Sequence, residues 1–319
     1  MEIAKVDLRG VVPGKQGWEA ARAAVTASMV AHGFVVVAHD DALGPDLRRA
    51  VFGRALPELF ALPPEAKQRT AAADGSLLKA GYVGHVPGTA WESLLVDEPS
   101  DAAAVRRVAD LLWPEGNTEF CETMVSFAKN MVNLQETVEA LTLEGLGVPA
   151  ESVRAHMGML GHGARLSHYG APPDAETCMS MRPHYDNTLV TVIVQHEVEG
   201  LEVHVGGGRW VAVPPEPGTF TIVAGEQLRV ATNGCVPACF HRVRTPSNRE
   251  RFTVLFTLAQ KEGVEVRALE DLVDEEHPLM FNPLSIEEYS KWLYWEEGHK
   301  FEDPLKAYCG VDKDDGAVA

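Results

Sequence analysis

The chain has 319 residues, 45% hydrophobic and 23% charged, the composition of a globular protein long enough to bury a sizeable core. Its 46 acidic residues outnumber 28 basic ones, and a formal net charge of −18 disfavours nucleic acid and anionic membrane surfaces as partners. No run approaches the roughly 18 apolar residues that span a bilayer. The segment from Met1 shows neither the basic start nor the apolar core of a secretory signal, so a cytoplasmic protein is expected. The five cysteines, Cys121, Cys178, Cys235, Cys239 and Cys309, are odd in number and argue against a disulfide framework. Cys235 and Cys239 have no second pair at zinc-ribbon spacing and read as small residues on or near a strand.

In chain order, Ile3 to Leu8 alternates weakly and reads as a short strand. Residues 16–32 carry apolar positions at helical spacing; Gly33 ends that helix, and Phe34-Val35-Val36-Val37 is a β-branched strand. A second helical pattern runs from Leu43 to Phe60, and Pro63-Pro64 opens a further turn through Glu65-Ala66-Lys67. Residues 71–116, with Gly75, Gly81, Gly84, Pro87, Gly88 and Pro99, read as loop-rich, and loops of this length are often functional. Residues 118–144 form the longest helical pattern, with one apolar stripe through Phe120, Met124, Phe127, Met131, Leu134, Val138 and Leu141.

From about residue 163 the character changes to short β-rich runs separated by Gly, Pro and Asn turns. They are Ala164–Tyr169, Thr188–Gln195, Leu201–Val205, Arg209–Val213, Thr219–Val223, Leu228–Thr232, Ala238–Val243 and Phe252–Leu258, with helix returning at Ser285–Glu297. This spacing predicts an α+β, mainly β chain built on a double-sheet jelly roll. Segments 1–155 (helical and mixed) and 156–319 (jelly-roll core with a C-terminal helix) are expected to form one structural unit, because the helices need the barrel's outer face to bury their stripes.

In Arg182-Pro183-His184-Tyr185-Asp186-Asn187, extended backbone would aim His184 and Asp186 the same way. His241 lies in a later predicted strand. Two histidines and one carboxylate leave three positions open on a six-coordinate metal, the pattern of non-haem iron(II) oxygenases. A His-x-Asp pair alone is a weak signal, and a lone His241 more often packs than ligates. Further on, Arg251 and Thr253 share one strand face, where a guanidinium and a hydroxyl can grip a carboxylate. Within a barrel such a cation asks for an anion. 2-Oxoglutarate supplies one at its distal end while its 2-oxo acid end chelates iron; for Arg251 alone, a surface salt bridge is the simpler reading.

The chain resembles the plant-type 2-oxoglutarate/Fe(II)-dependent dioxygenases, the wider group that includes isopenicillin N synthase. The matching residues extend over nearly the whole length: His32-Gly33-Phe34, Phe60-Ala61-Leu62-Pro63-Pro64, Gly81-Tyr82, His184-Tyr185-Asp186, Gly200-Leu201-Glu202-Val203, Pro217-Gly218-Thr219-Phe220, Ala224-Gly225-Glu226, Thr232-Asn233-Gly234, His241-Arg242-Val243 and Arg251-Phe252-Thr253. Gln195 through Val203, Glu270 through Pro278 and Ala307-Tyr308-Cys309-Gly310 are most similar to the glucosinolate side-chain dioxygenases of that family.

The resemblance implies that His184, Asp186 and His241 ligate iron(II). It further implies that Arg251 and Thr253, with a hydrogen bond from Tyr169, hold the distal carboxylate of 2-oxoglutarate. Tyr185 stands where a small threonine is usual, Thr253 where serine is commoner, and Ser167 where asparagine is frequent, so a co-substrate contact at Ser167 is left open. The implied reaction consumes O₂ and 2-oxoglutarate, with ascorbate as reductant. It releases succinate and CO₂ and oxidises a small hormone or specialised plant metabolite, by hydroxylation as the default and by desaturation or ring closure otherwise. Tyr82, Trp91 and Glu92 are candidate substrate contacts, and a monomer is expected. Rival readings are an oxidase of the same fold that uses no 2-oxoglutarate, a non-catalytic small-molecule-binding barrel, and a zinc hydrolase. His168 should face away from Tyr169, Gly206-Gly207-Gly208 reads as a hairpin turn, and Trp292, Tyr294 and Trp295 either pack or cover a pocket mouth.

Overall fold

The computed structural model describes residues 3–72, 80–84, 90–172 and 174–311. The predicted loop positions Gly75, Pro87 and Gly88 lie outside the described residues. The N-terminal part runs β1 (Lys5–Asp7), α1 (Trp18–His32), β2 (Phe34–Ala38), α2 (Pro45–Ala50), a wide π turn at Val51–Ala55, α3 (Leu56–Phe60) and α4 (Pro64–Gln68). Then follow β3 (Gly81–Val83), β4 (Trp91–Asp97), α5 (Ala102–Leu112), α6 (Thr118–Gly145) and α7 (Ala150–Met157). The later part runs β5 (Leu160–Tyr169), β6 (Met179–His184), β7 (Val190–Gln195), β8 (Leu201–Val205), β9 (Arg209–Ala212), β10 (Thr219–Ala224), α8 (Glu226–Ala231), β11 (His241–Arg244), β12 (Arg251–Gln260), α9 (Ile286–Trp295) and α10 (Pro304–Cys309). The chain is therefore mixed α and β.

Two expectations need correction. The stretch read as loop-rich holds β4, a full partner of β5, and α5, whose start is capped by the Asp101 carboxylate accepting from the Ala103 amide at 2.9 Å. Leu228–Thr232, read as a strand from its β-branched residues, lies mostly in α8. Tertiary contacts override the local preference there. A Cβ on Gly225 would meet the Thr188 carbonyl at 2.1 Å, so β10 stops, and the Glu226 amide turns to donate to the Asp186 carbonyl at 2.8 Å.

Among the described residues, eight strands form the larger sheet in the order β1-β2-β10-β7-β12-β5-β4-β3, and four form the smaller in the order β6-β11-β8-β9. Apart from the parallel β1–β2 pair, the ladders are antiparallel. Alternation divides the large sheet's side chains between two environments. Val35, Val192, Val194, Ile222, Val254 and Phe256 face the helical layer, where the α6 stripe is buried. Phe34, Val36, Ile193 and Val223 face Leu201, Val203 and Val205 of the small sheet. The interior between the sheets is thus walled on both sides, and its polar inward residues stand out.

Helix α6 is pinned to the sheet by Gln135, whose amide donates to the carbonyls of Val190 and Phe256 at 3.2 and 3.0 Å. One turn on, Glu139 is fully buried with both carboxylate oxygens unbonded, 3.8 Å from His156 of α7. Burial raises the Glu139 carboxyl to about 8 and lowers His156 to about 4, so at neutral pH both are uncharged. Because the unfolded carboxyl titrates near 4.5, its ionisation opposes folding increasingly as pH rises from there toward 8. The stability advantage of Glu139→Gln over the parent should grow through that window and reach roughly 3 kcal/mol at pH 7, measured by urea unfolding of both proteins at several pH values. A constant difference would show that Glu139 stays ionised. Gly33, at φ +70°, ends α1 so tightly that a Cβ would stand 2.3 Å from the Pro237 carbonyl. Gly33→Ala should lower stability by about 3 kcal/mol or more, visible as a fall in Tm.

Candidate active site

The geometry of the three candidate ligands follows from strand pairing. His184 is the last residue of β6 and His241 the first of β11, and the two are directly opposed in the ladder. Opposed residues on antiparallel strands project to the same face, so the rings meet at 4.3 Å between centroids. The chain turns after His184 and brings an Asp186 carboxylate oxygen to 3.6 Å from His184 Nε2 and 3.7 Å from His241 Nε2. One ligand atom from each residue lies within 4.8 Å of the others, as three groups aimed at a common point would.

The remaining ring nitrogens settle the tautomers. His184 Nδ1 lies 2.8 Å from the Arg182 carbonyl and His241 Nδ1 3.1 Å from the Cys239 carbonyl. A carbonyl only accepts, so each Nδ1 carries a hydrogen, and each Nε2 faces Asp186. Burial, with His184 adding to it, pushes His241 down to about 4, which keeps that ring neutral. Burial would raise the Asp186 carboxyl, but the two imidazoles beside it hold it far below the usual carboxylate range. Burial opposes charge on His184, but the Asp186 carboxylate beside it outweighs that and raises the ring. Two imidazoles and one ionised carboxylate on one side of a point fit a ferrous ion, which would take the place of that proton, with three open positions.

The second cluster lies on the inner face of β5, β7 and β12. Arg251 is opposed to Tyr169, and Thr253 to both Ser167 and Gln195, so these side chains share the interior with the histidines. Arg251 is 1% exposed and its guanidinium lies over the Tyr169 ring at 5.0 Å. Its Nη2 donates to Gln195 at 3.0 Å, while Nε and Nη1 have no acceptor. The hydroxyls of Thr253 and Ser167 are likewise buried and have no hydrogen-bond partner in good geometry among the described residues, with Thr253 acting on the Tyr169 phenol. A desolvated guanidinium without a carboxylate in ion-pairing contact among the described residues is costly, and the arrangement fits an anionic ligand carboxylate. Arg165, two positions inward from Ser167, also enters this interior, bonded to Ser93 at 3.0 Å and near the Trp91 ring. Gln195 and Arg165 escaped the sequence reading; the signal for both is a polar residue at an inward position of an otherwise apolar strand.

The candidate substrate contacts separate. Trp91 is opposed to Tyr169 and lines the interior with Val243 and Met181. Glu92, the next residue, points to the other face of the sheet. Its carboxylate accepts from Lys67 at 2.7 Å and Tyr82 at 2.6 Å, and meets His168 Nδ1 at 2.8 Å. His168 stacks on Phe252 and bonds Glu250 through Nε2, facing away from Tyr169 as expected. Glu92 and the Tyr82 hydroxyl therefore tie α4 to β4 on the helical side, and the structure does not bring them to the metal ligands. Reading residues 71–116 as loop had concealed the alternation that separates Trp91 from Glu92.

Helix α9 docks beside the ligand loop. Tyr289 donates to Glu226 at 2.7 Å, and Asn187 donates to Ser290 at 3.0 Å. Trp292 packs among Tyr289, Phe301 and Tyr308, whereas Tyr294 and Trp295 stay 54% and 83% exposed.

Comparison with known proteins agrees with this chemistry. Residues 161–260, the span from β5 to β12 that holds both clusters, match the 2OG-Fe(II) oxygenase superfamily. A probable 2-oxoglutarate-dependent dioxygenase AOP1 of Arabidopsis thaliana is 30% identical over 291 residues, covering 90% of this chain and 94% of that protein. The structure is similar to that of a dioxygenase for auxin oxidation from rice, with a TM-score of 0.76 at 25% identity over 92% of this chain and 95% of that one. It shares its fold with the Arabidopsis thaliana dioxygenase for auxin oxidation 1 in its 2-oxoglutarate complex, with a TM-score of 0.76 at 22% identity over 87% of this chain and 100% of that one. A likeness that runs along almost the whole of a curated relative shows the family, and the protein belongs to the 2-oxoglutarate- and Fe(II)-dependent oxygenases as a dioxygenase, an oxidoreductase.

Proposed function

We propose that this enzyme hydroxylates a small hormone-like or specialised metabolite, with iron(II) held by His184, Asp186 and His241 and 2-oxoglutarate held by Arg251, Thr253 and Tyr169. The observation that carries the reading is the buried Arg251 cation, which makes no ion pair among the described residues, keeps two nitrogens without a hydrogen-bond acceptor and shares an interior with three convergent ligand side chains. When bound, iron(II) and 2-oxoglutarate supply O₂ activation coupled to release of succinate and CO₂, and the oxidising power goes to a substrate C–H bond.

The protein's own part is placement and exclusion of water. The two Nδ1–carbonyl bonds hold the imidazoles in the tautomer that presents Nε2. Asp186 stays ionised and offers a permanent anionic donor. Burial raises the Tyr169 phenol, so it remains a hydrogen-bond donor to a carboxylate at neutral pH. Trp91, Val243 and Met181 line one wall, which favours an apolar surface near Tyr169. Desaturation or ring closure would follow if the substrate presented a second C–H bond or a nucleophile instead of accepting oxygen. The name of the rice relative, a dioxygenase for auxin oxidation, supports a substrate of hormone size.

The same reading takes the two sheets as a double-stranded β-helix, with residues 1–155 and 156–319 as one unit. The Gln135 bonds from α6 into β7 and β12 support it. A cytoplasmic monomer, with ascorbate as reductant, accords with the acidic composition, and no described helix is long and apolar enough to cross a membrane.

The test is succinate formation from 2-oxoglutarate by purified protein with iron(II), ascorbate and O₂, against pooled metabolite extracts. Succinate should rise with extract and fall to background in Asp186→Ala. Turnover of an extract component without succinate would favour the oxidase that dispenses with 2-oxoglutarate. A protein that binds neither iron nor 2-oxoglutarate would sink the proposal.

A further inference from the structure

The orientation of Arg251 is set by a neutral group. Gln195 is 7% exposed and sits opposite Thr253 on β7. Its Nε2 donates to the Val213 carbonyl at 3.0 Å, and Val213 is itself held by its amide bond to the Leu201 carbonyl at 2.8 Å. Since a carbonyl accepts only, the amide cannot be flipped, and Oε1 must face Arg251 Nη2, where it lies at 3.0 Å. On the other side stands Gly200. A Cβ there would come within 2.9 Å of Arg251 Nε and 3.1 Å of its Cδ, as well as 3.1 Å of Val243 Cγ1. The guanidinium is thus held from one side and given clearance on the other.

The choice of an amide has a consequence. A carboxylate at residue 195 would bind Arg251 more strongly, but it would neutralise the cation and compete with any ligand carboxylate. Glutamine supplies direction without charge, so the full positive charge of Arg251 stays available. We propose that Gln195 is a positioning residue for the co-substrate, and that Gln195 and Gly200 together fix the point at which the far carboxylate of a 2-oxo acid is gripped. They thereby select the five-carbon dicarboxylate over shorter and longer ones. The inference rests on the reading of Arg251 as the distal-carboxylate anchor.

The test compares ligands that share the metal-chelating end and differ at the other. Dissociation constants of 2-oxoglutarate, 2-oxoadipate and oxalate are measured by calorimetry on Mn(II)-loaded protein, without turnover. Oxalate chelates metal and has no distal carboxylate, so it reports general damage to the site. In Gln195→Leu the 2-oxoglutarate constant should rise on the order of tenfold with that of oxalate unchanged, and the preference over 2-oxoadipate should narrow. The isosteric Gln195→Glu, which preserves shape, should raise the 2-oxoglutarate constant further. Parallel weakening of oxalate and 2-oxoglutarate, or no change in either variant, overturns the inference. Arg251→Gln separates the two claims. If it leaves the ratio of the oxalate and 2-oxoglutarate constants unchanged, the reading of Arg251 fails. If it collapses that ratio while both Gln195 variants preserve it, the role of Gln195 alone falls.

Discussion

The pairing of β11 with β6 is the constraint on which the site depends. With His241 opposite His184, the two imidazoles project from one face at ladder spacing. A shift of one residue would send one ring to the opposite face, because side chains alternate along each strand. The ladder is irregular immediately beyond His241, between it and Val243. The register is therefore secured from outside the pair: β8 supports β11 along His241 to Val243, and Arg242 pairs with Glu202 at 2.6 Å. Asp186 is fixed separately, by the Glu226 amide on its carbonyl and by Gly225, where a Cβ would lie 2.6 Å from that same carbonyl oxygen. Gly33 brings α1 against residues 237–239, so the N-terminal helix buttresses the segment that leads into His241.

A second constraint is electrostatic. The interior holds the Asp186 anion and the Arg251 and Arg165 cations; Arg251 is buried and the other two are half-buried. Such an interior is expensive in isolation and is stabilised when groups of opposite charge enter it. On the proposed reading, a metal dication would balance the Asp186 side and a dicarboxylate the Arg251 side, so each guest would relieve a different part of the cost. Both helices and sheets contribute to this: Gln135 and the α6 stripe hold the back of the large sheet, and that backing keeps the inward residues of β5, β7 and β12 in register.

Much of this was legible in the sequence because it depends on period and spacing. The α6 stripe and the β-branched strands around Val192 and Val254 show local periodicity that the structure preserves. What stayed illegible depends on contacts distant in sequence. Leu228–Thr232 is β-branched enough to read as a strand, yet Gly225 and the Asp186 carbonyl start a helix there. Strand β6 was unread because Pro183 and Arg182 break its apolar pattern, and it exists through its ladder to β11. Trp91 and Glu92 looked equivalent in a loop; only the pairing of β4 with β5 assigns them opposite faces. Tyr169 gained a site role through resemblance, whereas Gln195 stood only at the start of a subgroup motif with no role, because a lone glutamine at the end of an apolar run has no local signature.

Tyr185 shows how the fold absorbs a departure from the family's pattern. It stands between two candidate ligands where a small residue is usual, and it packs on Phe240. Its ring meets Phe240 at 4.8 Å, Phe240 meets Trp210 at 5.6 Å, and His204 meets Trp210 at 5.1 Å. The Arg242 guanidinium covers the Trp210 ring at 4.1 Å. These residues come from β8, β9 and β11 and from the segments next to His184 and His241, so ring contacts link three strands of the small sheet with the segments that flank the two histidines. Each such contact is worth about 1 kcal/mol, and together they oppose slippage of the strands that set the ligand register. The added bulk of Tyr185 is therefore taken up against Phe240, in the ring cluster that flanks the candidate ligands.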